Sequence, residues 1–256
     1  MLAKKVKTCL RYPGGKFYGF KKIASFLEIN HDEYIEPFIG GASIFLGKKL
    51  SKNNWLNDVD KDLINFYKII ENQSKSKELY KLLDNEYVDK YRYEQVKNFT
   101  PKNKIEEAFK YFYLNRTSFS GIMHKPRWGY RIGSSVTPDK WVNRIDQVAL
   151  KMRGTKLTCL DFREVLIKAS QKTLIYADPP YYKASKYIYK NEFNMQDHSD
   201  LVDILKHTTS KFILSYNYHE DITKMYSWAN ISQEDWVYYM SGGKRDKGNE
   251  LIITNF

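Results

Sequence analysis

The apolar positions of this chain fall into two patterns: short apolar runs that stop at an acid or a glycine, and longer stretches with helical spacing. Residues 33–38 form a short run that closes on Gly40-Gly41-Ala42, and residues 43–50 behind it are amphipathic. Together they predict strand, tight glycine turn and helix. A second strand is predicted over 54–57, ending at Asp58, and a second helix over 62–70. Such a βαβα opening belongs to a doubly wound α/β sheet.

The pattern changes over residues 71–153, which are rich in Lys, Tyr and Asn. Helices are predicted there at 76–84 and 105–114, with no core strand, so the stretch reads as an inserted, mainly helical subdomain. Within it, residues 121–136 mix Gly, Pro, Lys125, Arg127 and Arg131 with Trp128 and Tyr130, the composition of a loop or hairpin. Strand-like runs return at 156–160, 173–177, 211–216, 235–239 and 250–254, with helices predicted at 197–207 and 219–228. The expected domains are therefore a catalytic sheet from 1–70 and 154–256, and an insertion at 71–153.

Composition adds a partner to this outline. The 256 residues carry 42 Lys plus Arg against 30 Asp plus Glu, and a net charge of +12 favours a polyanion such as nucleic acid. A merely soluble basic protein is the plainer reading, since no run of Lys or Arg is long enough to be a tail. Cys9 and Cys159 form no CxxC pair, so a reducing, cytoplasmic setting and no metal are expected. No apolar run has signal-peptide or membrane-span length, and no membrane partner is expected.

The chemistry concentrates at Asp178-Pro179-Pro180-Tyr181. The run Leu174-Ile175-Tyr176-Ala177 is a buried-strand signature that stops at Asp178, and ligands of open α/β sheets sit at such carboxyl ends. Two prolines stiffen the turn and remove two backbone donors, and Tyr181 adds a flat ring. An acid, acceptor carbonyls and a ring suit a planar group bearing an amine. The receptor alone leaves the base open.

Asp178-Pro179-Pro180-Tyr181 resembles the catalytic motif of amino-methyltransferases, and other segments narrow the resemblance to the Dam-type DNA adenine N6-methyltransferases. Tyr12-Pro13-Gly14-Gly15-Lys16 resembles that family's N-terminal cofactor motif, and Glu36-Pro37-Phe38-Ile39-Gly40-Gly41 its first-strand glycine turn. Leu56-Asn57-Asp58-Val59-Asp60 is similar to the second-strand acidic motif. Tyr113-Leu114-Asn115-Arg116 with Gly121 looks like the start of target recognition, and Asn249-Glu250-Leu251-Ile252-Ile253 completes the order near the end.

The resemblance implies a Rossmann-like class I methyltransferase sheet flanked by helices, using S-adenosyl-L-methionine on double-stranded DNA by base flipping. It implies cofactor contacts at Tyr12, Lys16, Glu36, Phe38, Gly40, Gly41, Asp58, Asp161, Phe162 and Asp178. Lys16 would pair with the cofactor carboxylate, and Asp58 would accept ribose hydroxyls as acids do in dinucleotide folds. Asp161 would take the cofactor amine, with an N-cap as the equal alternative. DNA contacts would come from Asn115, Arg116, Phe119, Ser120, His124, Lys125, Arg127, Arg131, Lys244 and Arg245, against a solvated basic loop or hairpin. Ser120 and His124 depart from the pattern of a GATC reader, so no site sequence is implied. A restriction endonuclease acting on the same site is a further expected partner. Cytosine-N4 or RNA methylation and a catalytically silent binder remain alternatives.

Overall fold

A computed structural model describes residues 6–16, 19–183, 191, 193–239 and 245–256, with the backbone alone for 236–239 and 245–247. Seven strands form one mixed sheet in the order β3-β2-β1-β4-β5-β7-β6. The first five are parallel where they pair: β1 (Glu33–Glu36), β2 (Asn53–Asn57), β3 (Lys156–Thr158), β4 (Thr173–Ala177) and β5 (Lys211–Asn217). The antiparallel pair β6 (Asn230–Tyr239) and β7 (Arg245–Thr254) completes the sheet through β7, which lies beside β5. Strand order reverses between β1 and β4, and that switch point is where the cleft opens.

The helices are α1 (Phe20–Ala24), α2 (Ser43–Gly47), α3 (Lys61–Glu71), α4 (Gln73–Leu83), α5 (Lys90–Asn98), α6 (Lys104–Thr117), α7 (Trp141–Met152), α8 (Phe162–Leu166), α9 (Met195–His207) and α10 (Glu220–Met225). All five residues of β4 are buried because both sheet faces are covered. Leu174 and Tyr176 enter a core with α3, α6 and α7, while Ile175 and Ala177 enter one with α9 and α10. Alternate residues thus serve opposite layers, as the two-residue strand period requires.

Differences from the sequence-level expectation have local causes. β1 stops at Glu36 because Pro37 offers no ladder donor. The third strand ends at Thr158, where Asn57 Oδ1 accepts from Leu160 N and Thr158 Oγ1 in place of further pairing. Helices α5 and α7 were not expected. α5 buries only Tyr93 and Val96, too few to mark a face, but α7 buries Trp141, Ile145, Val148, Ala149 and Met152 at helical spacing. Among the described residues, no helix is long and apolar enough to cross a membrane.

Candidate active site

The carboxyl ends of β1, β2 and β4 open into a cleft of about 1150 Å³, counted out to solvent. Around it the fold gathers Tyr12, Lys16, Glu36, Phe38, Gly40, Gly41, Asp58, Asp161, Phe162 and Asp178 to Tyr181. Asn57, fully buried, holds the rim together: its Nδ2 donates to Pro37 O at 3.1 Å and Leu160 O at 3.0 Å. One amide thereby sets the chain beyond β1 against the chain beyond β3.

Packing against the N-terminal segment calls for glycine at the turn. Gly40 sits at φ +45°, and a Cβ there would lie 2.7 Å from the Tyr12 ring; one at Gly41 would lie 2.9 Å from Tyr12 Cβ. The close neighbour is Tyr12, not open cleft. Asp58 is 8% exposed and already accepts from Gly40 N and Asp60 N, each at 3.0 Å. Burial pushes its pKa up to about 6 against those two donors. Burial also raises Glu36 to about 8, opposed by the Tyr34 hydroxyl and Lys48.

Lys16 is held within the chain. Its Nζ lies 2.6 Å and 2.9 Å from the two Asp178 oxygens, 3.0 Å from Tyr181 Oη and 3.1 Å from Gly14 O. Burial works against this ammonium, but Asp178 and Glu250 outweigh it and hold its pKa above the ordinary lysine value. Ser215 Oγ donates to Asp178 Oδ1 at 2.9 Å.

At the other end of the cleft Phe38, Phe162 and Phe193 form a trio with centroids 5.4–5.6 Å apart. Asp161 is the N-cap of α8, completing a capping box with Glu164. Arg163 ties it down: its guanidinium reaches Asp161 at 3.0 Å, Asp197 at 2.6 Å and Asp200 at 2.7 Å, and lies 4.4 Å over the Phe162 ring.

Residues 12–240 match the family of D12 class N6 adenine-specific DNA methyltransferases. The chain belongs to that family. It is 25% identical to a DNA adenine methylase of Vibrio cholerae, over 97% of this chain and 96% of the relative. It is 27% identical to the type II methyltransferase M.MjaIII of Methanocaldococcus jannaschii, over 98% and 99% of the two. With the type II methyltransferase M.CviBI of a Paramecium bursaria Chlorella virus, identity is 22% over 98% and 100%. A solved precorrin-8W decarboxylase from Methanobacterium thermoautotrophicum superposes at a TM-score of 0.42 with 10% identity, over 98% and 95%, too loosely to argue from. The methyltransferase therefore transfers a methyl group to adenine N6 in DNA. That membership selects adenine over cytosine, DNA over RNA, and an enzyme over a silent binder.

The methyltransferase's expected DNA residues divide by burial. Phe119 is 47% exposed, Lys125, Arg127 and Arg131 are exposed, and Ser120 and His124 are half-buried. Asn115 is corrected to an interior part: it is fully buried, accepts from Arg11 N at 2.8 Å and donates to Arg11 O and Gly121 O. Arg116, 5% exposed with Nη1 on Cys9 O, likewise lies beneath the surface. Lys244 lies outside the described residues. Arg245 opens β7 opposite Tyr239, so its backbone is a strand and not a loose basic segment. Phe193, which lines the cleft, and Glu250, Ser215 and Arg163, which hold residues of its lining, were not expected there. For Glu250 a signal existed: a charge heading the apolar run Leu251-Ile252-Ile253.

Proposed function

We propose that this DNA adenine methyltransferase uses S-adenosyl-L-methionine, held at the carboxyl ends of β1, β2 and β4, and that Asp178 to Tyr181 receive an adenine flipped from double-stranded DNA. The observation that carries it is the Asp178 carboxylate at the switch point, in one cleft with Tyr181, an acidic strand end and an aromatic trio. Residues 71–153 then serve as the target-recognition subdomain, with Phe119, Lys125, Arg127 and Arg131 facing DNA.

The donor set fits that cofactor. The Phe38, Phe162 and Phe193 rings suit a purine, Asp161 its amine, and Asp58, with lone pairs left over from two N–H donors, the ribose hydroxyls. Glu36, half-neutral near pH 8 and lining the same cleft, suits the amino-acid end of the cofactor. When bound, the cofactor supplies a methyl group already activated on a sulfonium.

The residues of the chain do the rest. The exocyclic amine is a poor nucleophile because its lone pair is delocalised into the ring. Asp178, accepting a hydrogen bond from that amine, favours the positive charge that develops on nitrogen, and Tyr181 holds the ring plane. A paired adenine has its amine occupied, so the base must leave the duplex to reach Asp178. The same reading includes an endonuclease that acts on the same site without binding this chain; two relatives are named type II methyltransferases.

Asp178→Asn keeps the shape and removes the charge. Methyl transfer to duplex DNA, followed with labelled cofactor and nucleoside analysis, should fall by roughly 10²–10³ or more while cofactor binding persists. Near wild-type turnover would contradict the mechanism.

A further inference from the structure

β7 brings a second carboxylate to the catalytic centre. Glu250 is 0% exposed, and the Tyr181 hydroxyl donates a hydrogen bond to its Oε1. The Lys16 ammonium stands 4.0 Å from that same oxygen. The other oxygen, Oε2, has no hydrogen-bond partner among the described residues. A buried carboxylate oxygen without a donor is costly, because desolvation is not compensated.

Asp178 has the complementary problem. Both of its oxygens accept from Lys16, and Oδ1 also from Ser215, so only Oδ2 keeps a lone pair for the target amine, beside the Lys16 ammonium. An amine arriving at Oδ2 competes there with Lys16. Its side chain is only 2% exposed, so water cannot take over the ammonium.

We propose that Glu250 is a positioning residue that receives the Lys16 ammonium when Asp178 takes the amino group of the target base. The exchange moves hydrogen bonds and makes or breaks no covalent bond. Its path is already bridged: Tyr181 Oη accepts from Lys16 Nζ at 3.0 Å and donates to Glu250. The empty Oε2 supplies the acceptor that Lys16 lacks once it leaves Asp178. This inference rests on the reading of Asp178 as the amine receptor.

The groups facing Glu250 come from every side. The N-terminal segment contributes Lys16, and the loop after β4 contributes Asp178 and Tyr181. Asn217 of β5 is opposite it, and so is Glu234 of β6, which is ion-paired with Lys22 at 2.7 Å. Burial raises the Glu250 pKa to about 7 against the pull of Lys16, with the Asp178 charge adding and the Tyr181 hydroxyl subtracting. Only the ionised form attracts an ammonium, so the rate of transfer should rise with pH through about 7.

The test is the single-turnover rate against pH, with cofactor and duplex DNA saturating, for wild type, Glu250→Gln and Tyr181→Phe. Glu250→Gln should lose roughly tenfold or more in rate above neutrality, keep both KM values within about twofold, and lose the limb near neutrality. Tyr181→Phe removes a donor to the charged carboxylate and should move that limb to higher pH. Wild-type rate and limb in Glu250→Gln overturn the exchange. If that variant fails to fold, an unmoved limb in Tyr181→Phe overturns it alone. Asp178→Asn at wild-type rate overturns the receptor reading and this inference together; Asp178→Asn inactive with Glu250→Gln unaffected overturns only the exchange.

Discussion

Buried carboxylates set the acid-base behaviour of the folded chain. Burial raises Glu36 from 4.5 to about 8, Glu250 from 4.5 to about 7 and Asp58 from 3.8 to about 6. A carboxyl raised in this way contributes stability that is fully present below its unfolded pKa and lost as pH rises through its folded pKa, since the folded state keeps the proton in between. His198 acts in the opposite sense: burial lowers it from 6.5 to about 4, so stability rises with pH across that interval. The opposing effects overlap up to pH 6.5, and from there to about 8 the carboxylates act alone among these four groups. Lys48, lowered by burial to about 8, ends the fall there. Thermal unfolding of the cofactor-free protein should therefore show a midpoint that drops from pH 6.5 to 8, and Glu36→Gln should flatten the drop. A rising midpoint over that interval would refute the assignment.

At the scale of elements, the loop proposed to face DNA hangs on a few backbone positions. Gly121 sits at φ +72°, and a Cβ on it would lie 2.3 Å from Arg11 O. Opposite it, Phe119 N donates to Arg127 O at 2.8 Å and Gly129 N to Thr117 O at 2.9 Å, which closes the hairpin. Gly121→Ala adds left-handed strain of about 1–2 kcal/mol to that clash and pushes the hairpin off the N-terminal segment. DNA affinity, read by fluorescence anisotropy, should weaken while cofactor affinity is kept. Unchanged DNA affinity would separate this loop from DNA. Much of this was legible in the chain. The run before Asp178 and the Gly40 turn are local patterns, and β4 spans Thr173–Ala177 as expected. The roles of Asn115 and Arg116 were not legible, because the helix expected over 105–114 stops short of them and no local pattern reveals that Arg11 and Cys9 lie against them in α6.

For the whole molecule, the net charge of +12 matters through its placement. Lys125, Arg127 and Arg131 are exposed on one loop, whereas Arg163 and Lys16 are engaged by carboxylates. Removing one cationic side chain from a phosphate should reduce the slope of log affinity against log salt by about 0.9, so Arg127→Ala and Arg131→Ala should each flatten it by roughly one unit. Titrations of duplex DNA at several salt concentrations measure this. An unchanged slope removes the residue from the phosphate interface.

The chain by itself determined the α/β class, the acidic ends of its strands and the order of its motifs, because strand periodicity and turn chemistry act over a few neighbouring residues. Tertiary structure decided the partners. Lys16 meets Asp178 across 162 positions, Tyr181 meets Glu250 across 69, and Phe193 joins Phe38 and Phe162 only once α8 and α9 dock on the sheet. Periodicity reports which face a residue is on, but which charge it meets there depends on how distant elements pack. The acid at the end of β4 was therefore readable in sequence, while the lysine that meets it and the glutamate behind Tyr181 emerged only from the fold.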